Sequence, residues 1–169
     1  MPDRIDTLEY QTGPRALVLA DLYRLMDDDA RARPLYGRAL PEAQARLSLL
    51  AYSPMKSSFV WGHVAAAQLG LGRTDQALAS IAKSQALAAQ SGNNFFGPWI
   101  GELNAALYAR AGRADLSVPL LTEALAMPCG RFYTPALLWL DPAWDPIRQD
   151  PAFQALLQKY ARYKPAVVY

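Results

Sequence analysis

The chain has 169 residues, 52% of them hydrophobic and 19% charged, with a formal net charge of +2, a size that suits one domain or one array of repeats. Its 30 Ala and 25 Leu, against only 10 Val plus Ile, predict an all-α fold, and the apolar content excludes intrinsic disorder. The 13 Arg and 4 Lys are scattered among 15 acidic residues, which excludes a nucleic-acid footprint, and one Cys and one His exclude an internal disulfide and a structural zinc site.

In chain order, residues 1–13 read as an N-terminal extension or the end of a preceding element. The first helix then begins after Gly13-Pro14, because Pro suits a first turn whose N–H has no partner. Asp27 reverses the chain, and a lengthened second helix reaches about Ala51. A second pair begins at Ser53-Pro54, with Ser53 as its cap, turns at Gly72 and ends near residue 90. A third pair begins at Gly97-Pro98, turns at Gly112 and ends near residue 127. The expected helix pairs are thus 14–51, 54–90 and 98–127.

The remainder, 128–163, reads as a capping segment, and 164–169 as a tail. It contains three Asp-Pro pairs, at 141–142, 145–146 and 150–151, each a cap acceptor followed by a residue pre-set for a first helical turn. Asp145 is expected to start a short turn and Asp150 a last helix of about 151–162. Trp144, Ile147, Phe153, Leu156, Leu157 and Tyr160 would seal the apolar end of the third pair.

The three pairs share one register. Leu19-Ala20 is followed by Tyr23, Asp27, Ala32, Tyr36 and Ala39. Val64-Ala65 is followed by Gln68, Gly72, Ala77, Ile81 and Ser84, and Asn104-Ala105 by Tyr108, Gly112, Ser117, Leu121 and Ala124. The small residues at the two ends stand 19 apart in each pair, and the pairs follow one another at 45 and 40 residues. Small residues one turn apart let antiparallel helices approach closely, and a larger residue between them fills the layer.

This pattern resembles tetratricopeptide repeats, helix–turn–helix units of about 34 residues that stack into a right-handed solenoid. Trp61, three residues before Val64, matches the aromatic that often opens the pattern; Ala16 and Gly101 replace it in the other pairs. The string Trp144-Asp145-Pro146-Ile147-Arg148, followed by Asp150-Pro151-Ala152-Phe153, resembles the close of tetratricopeptide regions at the C-termini of bacterial signalling proteins. The resemblance implies a right-handed helical-repeat solenoid of three pairs plus a C-terminal capping helix. It implies a non-enzymatic module that binds a partner peptide or helix in a concave groove. Two other roles fit the same residues: a sensory or regulatory module of a larger signalling protein carrying a winged-helix, cyclase or kinase domain, or a scaffold that self-associates through an N-terminal edge around Leu8, Tyr10, Leu17 and Leu25.

In such a solenoid the first helix of each pair lines the groove. Helical spacing then places Asp21, Arg24, Phe59, His63, Trp99, Glu102 and Arg110 there as the partner-binding residues, with Phe59 and Trp99 as apolar anchors and the charged residues setting orientation. Phe59 and Trp99 packing between neighbouring pairs is the competing reading.

Signals for catalysis or cofactor binding are weak. His63 has no motif partner; Gly70-Leu71-Gly72-Arg73 lacks a third Gly and ends a helix; Asp27-Asp28-Asp29 lacks the alternation of a calcium loop; and Cys129 sits in a linker. No catalytic residue, metal or cofactor is therefore expected. The acidic N-terminus is unlike a signal peptide and no apolar run is long enough for a membrane span, so the expected compartment is the cytoplasm and no membrane partner is expected.

Overall fold

The computed structural model describes residues 13–126 and 134–166, which are all-helical and contain no strand. Residues 1–12 of the expected extension, including Leu8 and Tyr10, lie outside the described residues. So do Cys129, with the start of the capping segment, and residues 167–169 of the tail. The chain divides into two compact units, Met1–Ile100 and Gly101–Tyr169.

The first unit holds α1 (Arg15–Leu25), α2 (Asp29–Leu50), α3 (Pro54–Gly70), α4 (Thr74–Ser91) and the start of α5 (Phe96–Arg110). Consecutive helices from α1 to α4 pack on one another, and α1 also touches α3. Local chemistry sets the ends. The Asp28 carboxylate accepts from the Arg31 N–H to cap α2, and the Ser53 hydroxyl oxygen accepts from the Lys56 N–H to cap α3. Pro34 and Pro41 lie inside α2 on its exposed side, where water can reach the carbonyls they leave without a donor.

Within the α3/α4 pair, hydroxyls bridge the helices: Ser84 Oγ donates to the Ser58 carbonyl at 2.8 Å, and Ser80 Oγ donates to Gln68 Oε1 at 2.8 Å. All four residues are buried, so these bonds satisfy groups that burial would otherwise penalise. Small side chains make the bridge short, and the bridge in turn holds the close approach.

The second unit holds the rest of α5, then α6 (Ala114–Ala126), a four-residue helix α7 (Leu137–Leu140), a 3-10 turn Pro142–Ile147, α8 (Pro151–Lys159) and a 3-10 turn Ala161–Tyr163. Ser117 Oγ donates to the Ala105 carbonyl at 2.8 Å, the same kind of bridge as in the α3/α4 pair. Trp144, Ile147, Phe153, Leu156 and Leu157 join Ala105, Ala109, Ala114 and Leu121 in one apolar cluster, with Tyr160 packed against it. The cap is fastened by Arg148. Its Nη1 donates to the Leu138 carbonyl at 3.0 Å, and its Nη2 donates to the Asp141 carbonyl at 3.1 Å and to Asp145 Oδ1 at 2.7 Å.

Three local expectations are corrected. Asp145 starts no turn: Asp141 is the cap, accepting from the Ala143 N–H at 2.8 Å, while Asp145 lies within that turn and pairs with Arg148. The last helix ends at Lys159, and a 3-10 turn follows it. The first helix of the third pair starts at Phe96 and not at Pro98, because Asn93 Oδ1 accepts from the N–H groups of both Phe95 and Phe96 and initiates the turn earlier.

The register read from the sequence reappears as a burial pattern. Ala20, Ala65 and Ala105 are buried, as are Ala32, Ala77 and Ser117; Tyr36, Ile81 and Leu121; and Ala39, Ser84 and Ala124. At the reversal between helices, Asp27, Gly72 and Gly112 have φ of 56°, 77° and 72°, the left-handed conformation that ends a helix.

Candidate binding surface

Among the seven residues expected to face a groove, two arrangements form in the first unit. The first joins α1 to α2. Tyr36 Oη donates to Asp21 Oδ1 at 2.6 Å, and Arg24 Nε stands 3.8 Å from the same oxygen. Asp21 therefore holds α2 in place as well as carrying charge on α1. Both Asp21 and Arg24 are half-buried.

The second is an aromatic cluster where α3 meets the start of α5. Phe59 stands edge-on to Trp99 at 5.1 Å and to Phe96 at 6.0 Å, while Phe96 stacks on Trp99 at 5.7 Å. Phe95 stands edge-on to Phe96 at 5.0 Å and is exposed. Offset and edge-on pairs of this kind add about 0.5–1.5 kcal/mol beyond the area they bury. The sequence reading missed Phe95 and Phe96, placing them in surplus chain between pairs. The signal was Gly92-Asn93-Asn94, a run of turn formers ahead of two aromatics.

Burial corrects the assignment of two residues as groove-facing. Phe59 and Glu102 are each only 2% exposed. Phe59 supports the cluster from beneath, and Trp99 and Phe96, half-buried, present its surface. His63 is half-buried; its ring packs so closely on Gly13 that a Cβ there would lie 3.1 Å from it. Glu102 and Arg110 belong to the second unit, where Arg110 is half-buried.

Exposed ion pairs punctuate the helix starts. The Arg31 guanidinium, hydrogen-bonded to Asp28, holds that carboxyl below its usual range, and Arg113 does the same to Asp115. Among the described residues, no group of three His, Cys, Asp or Glu side chains comes together as a metal site would need, and no helix is long and apolar enough to cross a membrane. In the second unit a cleft of about 580 Å³ opens beside Trp139, Arg148, Gln154 and Lys164. Its Arg148 is already engaged with two carbonyls and Asp145, which leaves that guanidinium a structural clamp. Comparison with models of known protein families, with curated proteins and with solved structures finds no match.

Proposed function

We propose that the chain is a non-enzymatic helical-repeat module of the tetratricopeptide type, a right-handed stack whose concave face binds an extended segment or helix of a partner protein. The observation that supports this reading is the register: four positions, 12, 16 and 19 residues beyond the first, are buried alike in all three helix pairs, with a left-handed residue at the same place in each reversal. Repeating units that present identical faces bury them by stacking, and stacking leaves a preformed surface on which a flexible ligand bears most of the ordering entropy.

On that surface Trp99 is the anchor, with Phe96 stacked beside it and Phe59 holding both from below. Tryptophan in such a setting is the residue type most often found to dominate binding. Asp21 and Arg24 supply a polar edge that sets the direction of the ligand.

The test is selection of binders from a random peptide display library on the full chain, followed by calorimetry on the selected peptides. Trp99→Ala should weaken binding by roughly 30-fold or more with its helical circular dichroism retained, and Leu49→Ser, at an exposed position on α2, should leave it unchanged. Failure to select any peptide, or equal binding by Trp99→Ala, would overturn the reading.

A further inference from the structure

A cation stands beside the aromatic cluster. Tyr52, Lys56, Phe59 and His63 follow one another at spacings of four, three and four residues, which sets them in one stripe from the α2–α3 connection along α3. Lys56, half-buried, donates from Nζ to Tyr52 Oη at 3.4 Å and lies 5.7 Å from the centre of that ring. One turn further on, Phe59 carries Phe96 and Trp99 on its own ring. Lys56 and Phe59 are thus neighbours on one helix face, about 5–6 Å apart between Cβ atoms.

The charge around this stripe has one sign. Residues 43–101 hold Arg46, Lys56, Arg73 and Lys83 but a single acid, Asp75. Asp75 follows Gly72 at the start of α4, so the stretch of α3 from Lys56 to Gly70, about 20 Å, separates it from Lys56. Most other acids among the described residues of the first unit gather at that same far end. Asp21 is bonded to Tyr36, whose ring lies over Gly70; Asp27 and Asp28 lie in the α1–α2 reversal, and Asp29 begins α2. Glu42 lines the α1–α2 groove together with Arg15 and Arg38. Exposed charges about 20 Å away are screened at physiological salt, where the Debye length is about 8 Å. Among the described residues of the first unit, the Lys56 end therefore joins aromatic rings to positive charge, which suits an acidic ligand and repels a basic one.

We infer that the partner segment bound at Trp99 carries an Asp or Glu side chain two residues from its apolar anchor, with Lys56 receiving the carboxylate while Trp99 and Phe96 receive the anchor. In an extended segment, residues two apart point to the same side and stand about 7 Å apart, close to the separation of Lys56 from Phe59. The inference rests on the reading of Trp99 as the binding anchor and adds the chemistry of the ligand.

The test uses the peptides selected on the full chain, with affinities from calorimetry. Asp or Glu should be enriched two positions from an apolar residue in the selected sequences. Replacing that acid by Asn or Gln should weaken binding roughly threefold to fivefold, the scale of one partly exposed ion pair, and amidating the peptide C-terminus should change nothing. Lys56→Gln should abolish the difference between acid and amide peptides, and Lys56→Glu should favour peptides with Lys in that place. Both variants should keep their helical circular dichroism, because Ser53 caps α3 through the backbone N–H of residue 56. Selected peptides without such an acid, an acid as important to Lys56→Gln as to the parent, or binding lost on C-terminal amidation would overturn the inference and leave the Trp99 reading standing. Selection of no peptide, equal binding by Trp99→Ala, or self-association through Trp99 in sedimentation would overturn both.

Discussion

The ring of Tyr36 lies directly over Gly70: a Cβ built on Gly70 would stand 2.1 Å from a ring carbon, well inside contact distance. The same Tyr36 donates its hydroxyl to Asp21. One side chain on α2 therefore ties α1 to one side and admits α3 on the other.

Gly70→Ala should accordingly destabilise the chain, although Ala is ordinarily the better helix former by about 1 kcal/mol. Overpacking against an aromatic ring costs about 1–3 kcal/mol, so a net loss near 1 kcal/mol and a Tm lower by about 2–4 °C are expected in thermal circular dichroism. Tyr36→Leu combined with Gly70→Ala should cost less than the sum of the two single changes, because the leucine makes room for the new methyl group. Tyr36→Phe removes the hydroxyl that donates to Asp21 and should cost about 1 kcal/mol.

Asp27 holds φ at 56°, where the other two pairs place Gly72 and Gly112. A side chain in the left-handed region costs free energy that glycine avoids, partly offset by the larger entropy glycine has when unfolded. Asp27→Gly should therefore stabilise by about 0.5 kcal/mol, and Gly72→Ala should destabilise by about 1 kcal/mol, both read from urea midpoints at unchanged slope.

The capping segment depends on Trp144 and on Arg148. Trp144 is fully buried and packs 6.2 Å from Phe153 between ring centres. Trp144→Ala should cost about 3–5 kcal/mol through the cavity it leaves. Arg148→Lys keeps the charge but cannot span the carbonyls of Leu138 and Asp141 together with Asp145. A loss of about 1–2 kcal/mol is expected in urea titration; an unchanged midpoint would show that the fork geometry is dispensable.

Acid should weaken the helix starts. Hydrogen bonds from Arg31 and Arg113 lower the pKa of Asp28 and Asp115 below the ordinary value of 3.8. A depressed folded pKa contributes stability that is present above the unfolded value and lost as pH falls through the folded one. Thermal stability should hold on lowering pH from neutral and then decline below about pH 4. Asp28→Asn, which keeps a capping oxygen for the Arg31 N–H, should make that decline shallower. Because both pairs are exposed, salt at about 1 M should shrink the difference between Asp28→Asn and the parent.

What could be read from the sequence was whatever a few neighbouring residues decide. Asp27, Gly72 and Gly112 mark reversals because only certain residues tolerate a left-handed backbone, and Ser53 and Asp150 mark helix starts because their side-chain oxygens reach an N–H two or three residues on. The register of small residues was visible for the same reason. Burial that depends on distant chain was not: Phe59 sits on the expected helix face by spacing, yet it is buried with Phe96 and Trp99 packed on its ring, and Glu102 is buried as well. Competition between adjacent signals also escaped. Asn93 starts α5 ahead of Pro98, and of two neighbouring Asp-Pro pairs it is Asp141 that caps, because Arg148 claims the carboxylate of Asp145.

The most direct measurement is an experimental crystal structure of the full chain with a selected peptide bound. Stacked pairs require successive right-handed rotations that leave α1, α3 and α5 side by side along one concave face, with the peptide lying across Trp99. Those three helices closed around a shared centre, or a peptide seated elsewhere, would contradict both the architecture and the binding role.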